Sequence, residues 1–150
     1  MRGAILGLAV VAVAACGRTG EQGVPADTTT AVTPASPSLG AFAGRWRVVG
    51  YSEAGDSLLA YELAATADTA GWTITLPGRP AMPLRVSAVG SEVTIDAGPY
   101  ESVLRPGVQV TTQGTARVEG DSLVGNTIAR YTTTGPDSVL RVRTVGKRIP

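Results

Sequence analysis

The sequence predicts an all-β domain, an antiparallel up-and-down barrel of eight strands, with a two-sheet β-sandwich as the alternative. Three observations lead there. Between Ala41 and Pro150 apolar and polar residues alternate with a period of two, the alternating runs are rich in Val, Ile and Thr, and Gly, Pro and Asp clusters separate them. Helical spacing is nearly absent. The stretch is about 110 residues, enough for one domain with one core. Closure is favoured over a sandwich because it removes the exposed edges an open sheet must defend, and the strands carry almost no proline to defend them.

Arg45 to Tyr51 reads as the first strand, with its turn at Glu53-Ala54-Gly55-Asp56, and Leu58 to Ala65 as the second. A loop is expected at Thr66 to Ala70. Trp72, Ile74 and Leu76 then alternate with Thr73 and Thr75, the pattern of a strand with one wet face, ended by Pro77-Gly78-Arg79-Pro80. Leu84, Val86 and Ala88 mark the fourth strand, and Val93 and Ile95 the fifth, with Gly90-Ser91 between them. Val108 to Glu119 is the longest. Its Gln109, Thr111, Gln113, Thr115 and Arg117 share a polar face, and Gly120-Asp121 is a hairpin turn signal. Leu123 to Tyr131 and Val139 to Val145 complete the eight, joined at Gly135-Pro136-Asp137. Ala97 to Gly107 fits neither pattern. It is a strand, a helical turn or a long loop, and Tyr100, Glu101 and Arg105 make it the loop most suited to carry function.

The first forty residues differ in kind. Met1-Arg2 is followed by about a dozen apolar residues ending in Val13-Ala14-Ala15-Cys16, the parts of an export signal and too short to span a bilayer. These four residues resemble the lipobox of bacterial lipoproteins. The resemblance implies cleavage after residue 15 and acylation of Cys16; composition then sets a lipidated tether over 16–40 and the barrel over 41–150. Gly17 to Gly40 is rich in Thr, Pro, Ser and Gly, with no apolar periodicity, and a flexible chain of that length reaches roughly 25–30 Å. Two or more acyl chains give stable anchoring. The expected location is the bacterial cell envelope, and Gly17, in place of the Asp that retains many lipoproteins in the inner membrane, favours the outer membrane, facing the periplasm or the cell surface.

Gly44-Arg45-Trp46 resembles the G-x-W that opens the first strand of lipocalins and related calycins. In that family the tryptophan plugs one end of the barrel and an arginine of the last strand covers its ring. The resemblance assigns the plug to Trp46 with Arg141 or Arg143. The chain lacks the family's T-D-Y motif and has no segment for its C-terminal helix, so the resemblance is to a compact lipocalin-like domain.

Catalytic chemistry has few carriers. There is no histidine, and Cys16 is the single cysteine, so disulfides within the chain, zinc sites in the barrel and thiol nucleophiles are not expected. Glu62, Asp96 and Glu101 are the carboxylates that would have to meet for glycosidase-type chemistry. The expectation is a non-enzyme without cofactor or metal. Thirteen Lys and Arg against twelve Asp and Glu, with no basic block, give no reason to expect nucleic acid as a partner. An eight-stranded interior is just wide enough to be filled by side chains or to hold one small molecule. Ala88, Ala97, Ala116, Gly125 and Ala129 leave room inside, and Trp46, Tyr61, Trp72 and Tyr131 are the candidate ligand-binding residues. The expected partners are the membrane, through acyl chains on Cys16, and either a small apolar ligand or another envelope protein meeting a solid-cored module.

Overall fold

In β7 (Gln109–Glu119) the period-two pattern sends Val110, Thr112, Gly114 and Ala116 inward and Gln109, Thr111, Gln113, Thr115 and Arg117 to solvent. The same rule builds the other strands of this computed structural model, which describes residues 38–150; the predicted signal peptide, Cys16 and nearly all of the tether lie outside the described residues. They are β1 (Gly44–Tyr51), β2 (Ser57–Ala65), β3 (Thr73–Thr75), β4 (Met82–Pro83), β5 (Arg85–Val89), β6 (Glu92–Glu101), β8 (Ser122–Tyr131) and β9 (Val139–Ile149). The hairpin turns fall where the glycines predict. Gly120 has φ +57° between the paired Glu119 and Ser122, and Gly90 has φ +60° between the paired Val89 and Glu92.

All nine strands form one antiparallel sheet in the order β4-β3-β2-β1-β9-β8-β7-β6-β5. This is an up-and-down, nearly closed barrel of lipocalin-like kind, and the two-sheet alternative falls. First and last strands pair in register, with Trp46 opposite Arg148 and Tyr51 opposite Arg143. The ends of the order, β4 and β5, are separated in the chain only by Leu84, whose N–H donates to the Trp72 carbonyl at 2.9 Å. The ring therefore closes through the chain itself. One seam stays open in the ladder, because β3 pairs β2 only over Glu62–Ala64 and β5 pairs β6 only as far as Asp96. Leu58 to Tyr61 and Ala97 to Glu101 thus have a strand on one side alone.

The structure corrects several expectations. Among the described residues there are nine strands, not eight, because the two-residue β4 precedes Leu84. The ambiguous stretch divides: Ala97 to Glu101 continues β6, with a cis Gly98–Pro99 bond and a register shift, and Ser102 to Gly107 is a loop. Leu39 and Phe42, on either side of the predicted 40/41 boundary, both pack into the core, so the fold reaches back into the predicted tether. Ala88 is exposed, near the end of β5. Strand β9 runs four residues past Val145, and its inward face holds Leu140, Val142, Thr144 and Gly146. Arg141 and Arg143 alternate with these and point outward, with Val139 and Val145.

Candidate functional site

The barrel has one sealed end. Trp46 is 0% exposed and donates its indole N–H to the Phe42 carbonyl at 2.7 Å. Phe42 lies against Trp72 with ring centroids 5.7 Å apart, and Trp72 donates its own indole N–H to the Asp68 carbonyl at 2.7 Å. Both indoles thereby bury an apolar body without orphaning a donor. The cation over the Trp46 ring is Arg148, its guanidinium carbon 4.3 Å from the centroid. Arg148 also donates to the Ala41 carbonyl at 2.8 Å and to the Ala43 carbonyl. Neither predicted arginine has this place: Arg143 lies 5.4 Å over Tyr51, and Arg141 is exposed. Gly44 has φ +130°, and a Cβ there would stand 2.7 Å from Arg148 Nη1, so the glycine of G-x-W serves both the backbone turn and the approach of the arginine.

Beyond this plug lies a cavity of about 120 Å³. Its inner end is formed by Leu63, Ala116 and Leu123, its wall by Gly50, Ile95, Ala97, Gly114 and Ala129, and its rim by Tyr100, Val110, Leu104 and Tyr131. None of its lining residues is charged. The volume is of the order of the ~150 Å³ apolar cavity known to hold benzene or xenon. Of the predicted ligand-binding residues, Tyr61 and Tyr131 line it, whereas Trp46 and Trp72 do not, being spent on the sealed end. Of the predicted small residues, Ala97, Ala116 and Ala129 line it. Gly125 is buried but serves strand packing instead: a Cβ there would sit 2.0 Å from the Thr115 carbonyl oxygen.

The rim is ordered by the loop after β6. Ser102, 3% exposed, accepts the N–H groups of Leu104 and Arg105 on its Oγ at 3.1 Å each, and its own N–H donates to Val108 O at 2.8 Å. Glu101 accepts the Gly107 N–H at 3.0 Å. Arg105 lies 4.1 Å over the Tyr131 ring and donates to the Asp137 carbonyl, which binds the loop to the segment before β9. Val103 and Leu104 are thereby held against the cavity. Arg79, from the turn after β3, donates to the Glu101 carbonyl across the seam. Tyr61 and Leu76 line both the cavity and an outer groove that contains Arg47, Glu62, Pro77, Gly78 and Arg79, and so stand between the two.

Burial pushes the Tyr61 phenol well above its usual range, helped by Tyr100. Burial also raises Tyr100, with Tyr131 adding to the rise, while a hydrogen bond with Thr112 and the charge of Arg79 oppose it. Both are neutral at physiological pH, keeping the cavity uncharged. The three carboxylates considered for catalysis are engaged apart, and none lines the cavity. Glu62 pairs with Arg45 at 2.8 Å and Arg47 at 3.5 Å, Asp96 accepts from Gln113 at 3.0 Å, and Glu101 holds the rim loop.

Sequence reasoning missed Arg148, Gly50, Gly114 and the inward side of Tyr100. Gly50 was legible, being the next even position after Trp46 and Val48. The other signals were weaker, since Arg148 lay beyond the expected end of the last strand. Compared with protein-family models, curated proteins and solved structures, the chain matches none.

Proposed function

We propose that this is a lipid-anchored protein of the bacterial cell envelope whose barrel holds a small apolar molecule. The observation that carries the reading is the uncharged cavity that Gly50, Ala97, Gly114, Ala116 and Ala129 leave open among larger apolar side chains, because a barrel serving only as a solid module would fill those positions with bulkier ones. The anchor rests on the Val13-Ala14-Ala15-Cys16 motif, and the outward residues of β7, polar along their length, suit a domain in water beside the membrane rather than one crossing it. No chemical step is assigned to the barrel, which binds and releases.

Mass spectrometry of an organic extract of the purified protein tests the ligand. A stoichiometric apolar molecule supports the carrier reading, and an empty extract together with no uptake of any apolar probe returns the barrel to an interaction module. The anchor is tested separately: Cys16→Ser abolishes incorporation of labelled fatty acid, and label retained by the variant refutes the lipidation.

A further inference from the structure

Positive charge is gathered on one side of the barrel. Strands β1, β9 and β8 are neighbours in the sheet, and Arg45, Arg47, Arg130, Arg141, Arg143 and Lys147 point outward from them. None of the three strands contains Asp or Glu. The formal charge of the whole chain is +1, so this face is cationic by the placement of its residues and not by composition. Glu62 of β2 answers Arg45 at 2.8 Å and Arg47 at 3.5 Å. Among the described residues the other four cations have no carboxylate within ion-pair distance, and all four are exposed. Arg143 leans on the Tyr51 ring at 5.4 Å and Lys147 donates to Ser122 Oγ at 2.6 Å, contacts that position the two side chains without cancelling their charge.

An apolar row runs between these cations. Val49, Val145 and Val124 are opposite one another across the three strands, half-buried and outside the core. Two residues to one side of Val145 is Arg143, opposite Tyr51, and two to the other is Lys147, opposite Arg47. In a strand that spacing is ~7 Å and keeps all three on one face.

We propose that this face docks on the surface of an anionic phospholipid bilayer, its cations against headgroup phosphates and its valine row toward the apolar layer beneath them. A soluble polyanion would answer the charges and gain nothing from the valines, whereas a bilayer surface offers phosphate above hydrocarbon. The choice of a bilayer also rests on the anchor reading above, because a tether reaching roughly 25–30 Å keeps the face beside the membrane at high effective concentration. The barrel surface is convex, so β9, the middle strand of the three, makes the closest contact.

The experiment reconstitutes the full chain with vesicles of phosphatidylcholine, alone or mixed with phosphatidylglycerol, and follows modification of each arginine by phenylglyoxal, an uncharged reagent, by peptide mass spectrometry. Arg85, exposed on β5 away from this face, is the internal reference. On the anionic vesicles Arg141 and Arg143 react at least about fivefold more slowly relative to Arg85, the factor that one cation's attraction to an anionic leaflet supplies. On phosphatidylcholine alone they are not slowed, and added salt restores their rates on the anionic vesicles. Arg141→Gln with Lys147→Gln, both at exposed positions, restores the reactivity of Arg143, and a thermal melt checks that this variant folds. Equal rates on the two kinds of vesicle overturn the proposal. So does an equal slowing of Arg85, which means adsorption without a preferred face, and so does shielding by heparin with none by vesicles, which makes the partner a soluble polyanion. Fatty-acid labelling judges the anchor separately, so failure of the anchor and failure of the docking face are told apart.

Discussion

Replacing Arg148 by Met probes the sealed end with least disturbance to the core. The side chain gives up hydrogen bonds to the carbonyls of Ala41 and Ala43 and its contact with the Trp46 ring at 4.3 Å. Two hydrogen bonds at ~0.5–1.5 kcal/mol each and an exposed cation-π contact at ~0.5–1 kcal/mol give an expected loss of about 1.5–4 kcal/mol. Met keeps most of the apolar stem, so packing contributes little. Trp46→Ala removes a fully buried indole and costs about 3–5 kcal/mol, a large part of the ~5–15 kcal/mol available to a domain of this size. Because ring and guanidinium touch, the double variant loses less than the sum, by about the ~0.5–1 kcal/mol of the cation-π contact. Urea unfolding followed by far-UV circular dichroism measures all three. Arg141→Met is the control, exposed and outside the plug, and stays within about 0.5 kcal/mol of the parent. An Arg148→Met loss no larger than that of Arg141→Met refutes the assignment of the clasp to Arg148.

Gly125→Ala puts a Cβ 2.0 Å from the Thr115 carbonyl oxygen, a backbone clash no rotamer relieves, so the β7–β8 ladder must shift at a cost above ~1–3 kcal/mol; a melt as high as the parent's refutes the close approach. In an absorbance titration at 295 nm, Tyr61 and Tyr100 ionise above the usual phenol range for as long as the barrel stays folded. The folded state raises their pKa, so the stability this gives is fully present below pH ~10 and is lost as pH rises through the folded values; uniform titration near pH 10 in a folded protein contradicts their burial. Arg105→Ala frees the rim loop from Tyr131 and Asp137, and amide exchange quickens over 102–108 while β7 and β8 stay protected; an unchanged exchange rate refutes the clasp.

What was legible in the sequence was what obeys a period of two. Strands β7 and β8 repeat their inward and outward sets for ten residues or more, and their turn is fixed by a glycine that needs φ +57°, so both strands and hairpin could be read directly. The plug could be read only by its tryptophan. Its arginine could not, because Val145-Gly146-Lys147-Arg148 places a glycine at an inward position, where Leu123 and Val48 approach a missing Cβ to 3.2 Å each, and a glycine in a run reads as its end. Choosing Arg141 and Arg143 put the cation on the wrong face by one residue, enough in a strand to exchange core for water. The cavity was half legible. Tyr61 and Tyr131 lay in clean alternation, but Trp46 and Trp72 looked equally apt, and only three-dimensional packing shows that their N–H groups are claimed by the Phe42 and Asp68 carbonyls.

The separation of these two tasks along the barrel has a physical reason. Large rings at the Trp46 end meet chain segments outside the strands, Leu39 to Phe42 and the loop at Asp68, which supply carbonyls that strands already in a ladder could not spare. That end is dense, and it carries much of the buried aromatic area. The opposite end has the unpaired stretches of β2 and β6 facing a rim loop held by side chains such as Ser102 Oγ and Arg105, not by a ladder. Fewer backbone bonds there mean a lower cost of local opening at the rim and the seam than at the plug. On the carrier reading proposed above, a ligand enters at the rim, and substitutions in the two ends should separate: those at Trp46 and Arg148 lower stability, those at Arg79 and Arg105 alter the rates of binding and release.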